Sequence, residues 1–416
     1  MDSKSGEVVF VGAGASFVAG CPLLSGLFKS VAGYALAGYG GHPSSAQTRL
    51  AEYLHLVHGL DQDRLEDAVK NALQHQHSGL ALSRLTDLLT TLDIAIGDMS
   101  SFGRLPTGGV SGKDREFAGG RLQRVRNSIA SAITIAIAEA RGDEGSDGNT
   151  KSVSKSGVHA IRKLADRFCD GVIITTNWDS FLDRTLWNSE GLSPFEKAKW
   201  APAERSVVYT PIAQEVVNFS GQRINSQLAE LPSTPLLKLH GSMNWLSCPR
   251  CRRLIINPLL DLASGGSGGK HWTDQTCWCE AEAETLLVTP SYAKTYGNLH
   301  LQAIWRDAQQ ALAEATRWIF VGYSIPTDDA WIRALLTRAL AWKRSTGSTR
   351  KLEIVVVSHS ESPFEAEEAA SGKRASSPST DAFVQTIERY RSLLGEFGEG
   401  GRLVTSAQGL ESWVDS

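Results

Sequence analysis

The sequence predicts an α/β fold built on a parallel sheet, and three observations carry that expectation. Short continuous apolar runs recur at residues 7–11, 171–176, 236–239, 318–321 and 352–357, and an unbroken apolar strand is one buried on both faces, as parallel strands are. The runs are separated by helical or irregular stretches long enough for crossover connections. Each run also ends in small or polar residues, at the carboxyl edge where open α/β sheets take their ligands.

At 416 residues the chain has room for two or three domains, or for one large domain with insertions. With 42% hydrophobic and 21% charged residues it has the composition of a water-soluble globular protein. A formal net charge of -3 gives no global attraction to nucleic acid, so no direct nucleic-acid binding is expected. No apolar segment reaches membrane-spanning length without charge, and the first residues lack the apolar core of a signal peptide, so the expected location is cytoplasmic.

The first strand runs into Gly12-Ala13-Gly14-Ala15-Ser16. Glycines there let a backbone approach a pyrophosphate, and free N–H groups at the start of the following helix favour an anion. The spacing lacks the third glycine of the common dinucleotide fingerprint, and a tight strand-to-helix turn without a ligand reads the same way. Cys21-Pro22-Leu23-Leu24 leads into a short helix, and apolar residues recur at helical spacing from 44 to 97 and from 122 to 140. Residues 100–120 and 142–150 are rich in small and polar residues and read as loops.

The second strand ends in Thr176-Asn177-Trp178-Asp179 before a helix over 180–187, and the third ends in His240-Gly241-Ser242. Taken singly, Asn177 and Asp179 read as helix caps and His240 as a satisfied structural residue. Their coincidence with the glycine turn on one sheet edge points instead to a site, with His240 suited to proton exchange near neutral pH. The fourth strand ends in Gly322-Tyr323-Ser324 and the fifth in Ser358-His359. Residues 361–381 read as a surface loop before a C-terminal helix near 383–394.

Six cysteines are too unevenly placed for an extracellular disulfide framework. Cys21 and Cys169 stand alone and read as small buried apolar side chains. Cys248-Pro249-Arg250-Cys251 and Cys277-Trp278-Cys279 form two close pairs across a glycine-rich loop, and four thiolates so grouped match a closed, structural zinc site. The second pair is one residue tighter than a usual knuckle, which leaves His271 as an alternative ligand.

Together these residues resemble the SIR2 (sirtuin-like) domain family. Gly12-Ala13-Gly14-Ala15-Ser16 resembles the family's GAGxS turn, Thr175-Thr176-Asn177-Trp178-Asp179 its TQNxD motif and Leu239-His240-Gly241-Ser242 its LHGS motif. The knuckle at Cys248 and Cys251 follows in order, and Gly322-Tyr323-Ser324-Ile325 is similar to its GTSL turn. The resemblance implies a Rossmann-like parallel sheet of the SIR2 type with a helical insertion and a small zinc-knuckle module. Its parts are a SIR2-like Rossmann domain over 1–39 and 158–247 with 284–360, a helical insertion over 40–157, a zinc module over 248–283, and a linker with a C-terminal helix over 361–416.

The resemblance also implies NAD as substrate and structural Zn2+ as cofactor. Asn177, His240 and Asp179 are the implied catalytic residues. Asn177 would contact the ribose and place a water, His240 would act as general base, and Asp179 would fix the nicotinamide end or Asn177 itself. Gly12, Ala13, Gly14, Ser16, Thr176, Gly322, Ser324 and His359 are the implied NAD-binding residues, and Cys248, Cys251, Cys277 and Cys279 the metal ligands.

Two departures shape the expected activity. Deacetylases of the family have an Asp-Phe-Arg segment after the glycine turn, whereas Pro22 is followed here by Leu23-Leu24-Ser25. They also have a peptide-pairing strand after the zinc module, where this chain has Leu287-Val288-Thr289-Pro290, and proline cannot donate to a ladder. The pattern is similar to SIR2-like NAD hydrolases of bacterial antiviral defence, which implies a triggered effector. The implied partner is an activating protein, a HerA-type ATPase or a short Argonaute, and a homo-oligomer is expected. A protein deacylase and a silent NAD- or ADP-ribose-binding subunit are the alternatives.

Overall fold

The computed structural model describes residues 6–70, 79–97, 118–140, 154–187, 205–209, 214–217, 223, 225, 231–257, 277–281, 283–294, 296–326, 329–347, 352–360, 378–395 and 402–416. The chain opens with β1 (Glu7–Val11), the five-residue α1 (Ala13–Phe17) and α2 (Leu24–Leu36). A helical group follows: α3 (Ser45–His58), α4 (Gln62–Lys70), α5 (Gly79–Gly97) and α6 (Ala118–Ala140). Ser44 starts α3 with a reciprocal capping box to Gln47, and Gly59 ends it in the left-handed conformation. Then come α7 (Lys155–Phe168), β2 (Val172–Thr175), α8 (Phe181–Trp187), β3 (Ser206–Val208), β4 (Gln214–Val216), β5 (Ser233–Lys238), β6 (Gly241–Ser247), β7 (Leu254–Ile256) and β8 (Glu284–Leu287). The last part holds α9 (Leu299–Glu314), β9 (Arg317–Val321), α10 (Ala330–Ser345), β10 (Glu353–Val357), α11 (Pro378–Gly395), β11 (Arg402–Ser406) and α12 (Gly409–Trp413).

Seven strands form the main sheet in the order β11-β10-β9-β1-β2-β5-β3. Every neighbouring pair is parallel. The five strands expected from sequence are all present. From β1 the chain builds outward through β2 on one side and through β9 on the other, so the strand order reverses between β1 and β9. In an open α/β sheet the crevice above such a reversal is the place for a ligand. Phe10, Trp318 and Phe320 are fully buried within this sheet, and helices cover it in one continuous apolar core.

A second, mixed sheet runs β4-β7-β6-β8. It was not foreseen, because Ser242, Asn244 and Ser247 interrupt the apolar residues of β6, yet all seven of its residues are buried. Gly241 makes the entry possible: its φ is +74°, and a Cβ there would stand 2.0 Å from the Leu286 carbonyl oxygen. Around Cys248 and Cys277 a separate small cluster forms with Val217, Leu246, Ile255 and Ala283.

Two boundaries differ from expectation. Residues 361–416 are more than a linker and a helix, since β11 pairs with β10 along its whole length. As an edge strand with half-buried side chains it lacks the continuous apolar signature. The helical insertion does not begin cleanly at residue 40, because α2 packs against α3, α4, α5 and α6. The expected loops at 100–120, 142–150 and 361–381 lie outside the described residues, except that α6 begins at Ala118 and α11 at Pro378.

Candidate active site

A cavity of about 860 Å³ opens above the carboxyl ends of the central strands. Ala13, Gly14, Ser16, Thr176, Asn177, Asp179, His240, Gly322, Ser324 and His359 all line it. Gly12 does not. It is buried beneath, where a Cβ would stand 2.5 Å from the Gly322 carbonyl oxygen and 2.7 Å from Tyr323 Cα. Gly322 itself has φ +63°, and a Cβ there would reach 2.3 Å from the Ala15 nitrogen. The two glycine turns therefore interlock across the β1–β9 crevice.

That interlock corrects one expectation about the anion cradle. The Gly12 N–H donates to the Val321 carbonyl, Gly14 N–H to Gly322 and Ala15 N–H to Gly12, at 2.9 to 3.0 Å. These three amides are engaged within the protein. The turn sets Ala13 and Gly14 on the cavity wall, with those donors already used within the protein.

Asn177 follows β2 and is held from two sides. Its side-chain Nδ2 donates to the Gly12 carbonyl at 3.0 Å and to Ser16 Oγ at 2.9 Å, and its backbone N–H donates to Thr175 Oγ1. Both amide donors are thereby fixed, and the acceptor Oδ1 is buried without a partner. Asp179 behaves partly as its position suggested: its Oδ1 accepts the Phe181 N–H at the start of α8. Among the described residues no hydrogen bond joins Asp179 to Asn177.

His240 sits at the end of β5, beside the Trp305 Nε1–H donated to the Leu239 carbonyl. Its ring is buried and Nε2 has no hydrogen-bond partner. Burial lowers its pKa to about 4; Lys294 pushes the same way, while Asp329 and a backbone hydrogen bond with Thr176 oppose the shift. The imidazole is therefore neutral at pH 7, with a free lone pair or proton at Nε2.

Several site residues escaped the sequence reading. Asp329 Oδ1 lies 3.8 Å from His240 Nε2 and accepts from Lys294 Nζ at 2.9 Å, while Tyr323 donates its hydroxyl to Oδ2 at 2.8 Å. Burial alone would raise the Asp329 carboxyl, but His240, Lys294 and Tyr323 bring it below the ordinary value. Tyr296, 6.4 Å from His240 between ring centroids, packs edge-on against Trp305 at 67° and tilted at 60° against Trp331, its hydroxyl buried and unpartnered. Lys294 and Asp329 come from irregular segments, so no periodicity marks them. Phe383, Thr386 and Leu410, from the segment read as linker and helix, also line the cavity.

The four clustered cysteines converge as expected. All four Sγ atoms lie within 4.8 Å of one another, with Cys248–Cys279 at 3.4 Å and Cys251–Cys277 at 3.5 Å. A tetrahedral site with metal–sulfur bonds of about 2.3 Å has sulfur–sulfur edges of about 3.8 Å, so the donor set fits zinc. His271 lies outside the described residues. The cluster contributes no residue to the cavity lining.

Residues 171–376, just under half of the chain, match the family described as SIR2-like domain. That segment contains Asn177, Asp179, His240 and all four clustered cysteines, and begins after the glycine turn. Solved structures with similarity include a Sir2 homologue in complex with NAD, at 10% identity over 95% of this chain and 92% of that one, TM-score 0.35. Others are Sir2 with the inhibitor EX-527, 2'-O-acetyl-ADP-ribose and a deacetylated p53 peptide, at 12% identity over 94% of each chain, TM-score 0.30, and Sir2Tm bound to a propionylated peptide, at 13% identity over 94% of each, TM-score 0.32. No curated protein matches the chain.

Proposed function

We propose that this chain is an NAD hydrolase, cleaving the nicotinamide–ribose bond with water to give nicotinamide, ADP-ribose and a proton. The observation that carries the reading is a pair of buried polar atoms without partners, Asn177 Oδ1 and His240 Nε2, on the wall of one cavity at the sheet's reversal point. An unsatisfied buried polar atom is costly, and two in one cavity are accounted for by a polar ligand that satisfies both. The match of residues 171–376 to a SIR2-like domain and the motifs around Gly12, Asn177 and His240 support NAD as that ligand.

Cleavage releases a neutral pyridine and leaves positive charge on the ribose. Asn177 cannot turn over without losing both bonds from Nδ2, so Oδ1 stays presented as acceptor for a ribose hydroxyl or the attacking water. His240, neutral at pH 7, accepts the proton at Nε2. A base with a pKa of about 4 suffices here, because water adding to a cationic sugar becomes strongly acidic. The resulting imidazolium faces the Asp329 carboxylate at 3.8 Å. Asp179 adds negative charge on the same wall. The backbone of Ala13, Gly14 and Ser16 lies along the path for the pyrophosphate, and Ser324 and His359 along that for the adenosine.

Cys248, Cys251, Cys277 and Cys279 would hold a structural zinc that stabilises the small second core and takes no part in the reaction. Water rather than an acyl-lysine is the favoured acceptor because Pro290, on the cavity wall just past β8, has no N–H to pair with a peptide. Uncontrolled NAD hydrolysis is toxic. The reading therefore includes a cytoplasmic effector of antiviral defence, switched on by a protein partner of the HerA-type ATPase or short Argonaute kind and acting as a homo-oligomer. Incubating the protein with NAD, with and without the product of a neighbouring gene, tests it: nicotinamide release that vanishes in Asn177→Ala and His240→Ala is expected, and NAD left intact under both conditions refutes it.

A further inference from the structure

We infer that Lys238 and Asp183, a buried ion pair that touches no reacting atom, are positioning residues that fix Asn177 and His240 relative to one another. The inference rests on the hydrolase reading above.

The pair is almost completely enclosed, with side chains 1% and 0% exposed. Lys238 is the last residue of β5, two before His240, and stands opposite Thr175 in the sheet, two before Asn177. Asp183 lies in α8, the helix that Asp179 starts. Lys238 Nζ donates to Asp183 Oδ2 at 2.7 Å and to the Asp179 carbonyl at 2.6 Å. Asp183 Oδ1 accepts the Tyr209 hydroxyl at 2.6 Å and Asn244 Nδ2 at 3.3 Å. One cation and one carboxylate thus join β5, β6, the residue after β3 and the loop that carries Asn177.

Sheet bonding alone does not reach that loop. The last strand-type bonds are Leu239 N–H to the Thr175 carbonyl and Thr176 N–H to the Val11 carbonyl, and Asn177, Trp178 and Asp179 lie beyond them. The loop is tied down at Asn177 by its Nδ2 bonds to Gly12 and Ser16, at Trp178 by Met243 N–H and Ser242 Oγ on its carbonyl and by its Nε1 donating to the Val288 carbonyl, and at Asp179 by Lys238 on its carbonyl. Buried ion pairs are seldom more stabilising than an apolar pair of the same volume, so stability alone is a poor account of this one. What an apolar pair cannot supply is a directed donor on the Asp179 carbonyl, set by the strand that presents His240.

The test uses the full chain, with its activator where one is needed. Lys238→Met combined with Asp183→Asn removes both charges while keeping an acceptor for Tyr209 and Asn244. Positioning predicts an unfolding midpoint and an ADP-ribose affinity close to wild type, with kcat lower by about 10²-fold, the order expected for a displacement of about 1 Å, and KM unchanged. A folded double variant with wild-type kcat overturns the inference. If the double variant does not fold, Lys238→Arg decides. It keeps the charge but moves the donors, so a folded protein with kcat at least about tenfold lower supports positioning, and wild-type kcat overturns it. If wild type itself leaves NAD intact, the hydrolase reading fails. Positioning is then read from the His240 ring resonances, which must move in the charge-free variant at unchanged stability; resonances that stay put overturn it.

Discussion

Replacing Lys294 by Met unmasks the proton affinity of His240. Lys294 Nζ and His240 Nε2 approach the same oxygen, Asp329 Oδ1, at 2.9 and 3.8 Å, so the two nitrogens are no more than about 6.7 Å apart. At an effective dielectric of about 20, two positive charges at that separation repel by about 2.5 kcal/mol. Removing one of them raises the imidazole's pKa from about 4, with burial, the larger cause, still opposing protonation. Asp329 is then left with His240 as its charged partner, and the acid limb of the activity moves to higher pH. The change also leaves a buried carboxylate without its ammonium, at a cost of about 3–5 kcal/mol at neutral pH. The assay is a proton NMR titration of the histidine ring resonances, with His240→Gln assigning the signal, alongside the pH dependence of nicotinamide release. A ring that still titrates near 4 in Lys294→Met would refute the reasoning.

Four further outcomes follow from named contacts. Because His240 is held neutral in the folded state at a pKa of about 4, against about 6.5 unfolded, its contribution to stability is full above pH 6.5 and is lost as the pH falls toward 4. Chemical denaturation should show wild type losing about 3 kcal/mol more than His240→Gln across that window, and parallel pH profiles would contradict the burial argument. Gly12→Ala places a methyl group 2.5 Å from the Gly322 carbonyl oxygen and should destabilise by about 1–3 kcal/mol while weakening ADP-ribose binding by calorimetry; unaltered binding would mean the interlocked turns do not shape the cavity. Native mass spectrometry should find one zinc per chain, lost in Cys248→Ser with a lower unfolding midpoint, and a metal-free wild type with the same midpoint would remove zinc from the account. Asn177→Asp keeps an acceptor but loses the donors to Gly12 and Ser16, so kcat should fall by about 10²-fold in a nicotinamide-release assay, and an unchanged rate would deny Oδ1 its fixed orientation.

The central strands were legible because burial on both faces leaves an unbroken apolar run, and Val8 to Val11 or Ile354 to Val357 can be nothing else in a fold of this class. The motif residues were legible because each stands at the end of such a run. Edge and mixed strands were not: β11 is half-buried, and β6 buries Ser242 and Asn244 among apolar residues, with Ser242 Oγ donating to Trp178 and Asn244 Nδ2 to Asp183. Asp329 and Lys294 were missed for a different reason. They are 35 residues apart, meet only in the folded chain, and neither sits on a periodic element. The glycine turn was located correctly but its role was misread in part, since interlocking with Gly322 uses amides assigned to the anion.

The most direct test of the account is the stoichiometry and peptide dependence of NAD turnover by the full chain, with its activator where one is needed, and by its His240→Ala variant. The account predicts equal amounts of nicotinamide and ADP-ribose, formed without any acylated peptide and abolished by the substitution. Turnover that requires an acetyl-lysine peptide and yields an O-acylated ADP-ribose, or turnover indifferent to His240, would contradict it.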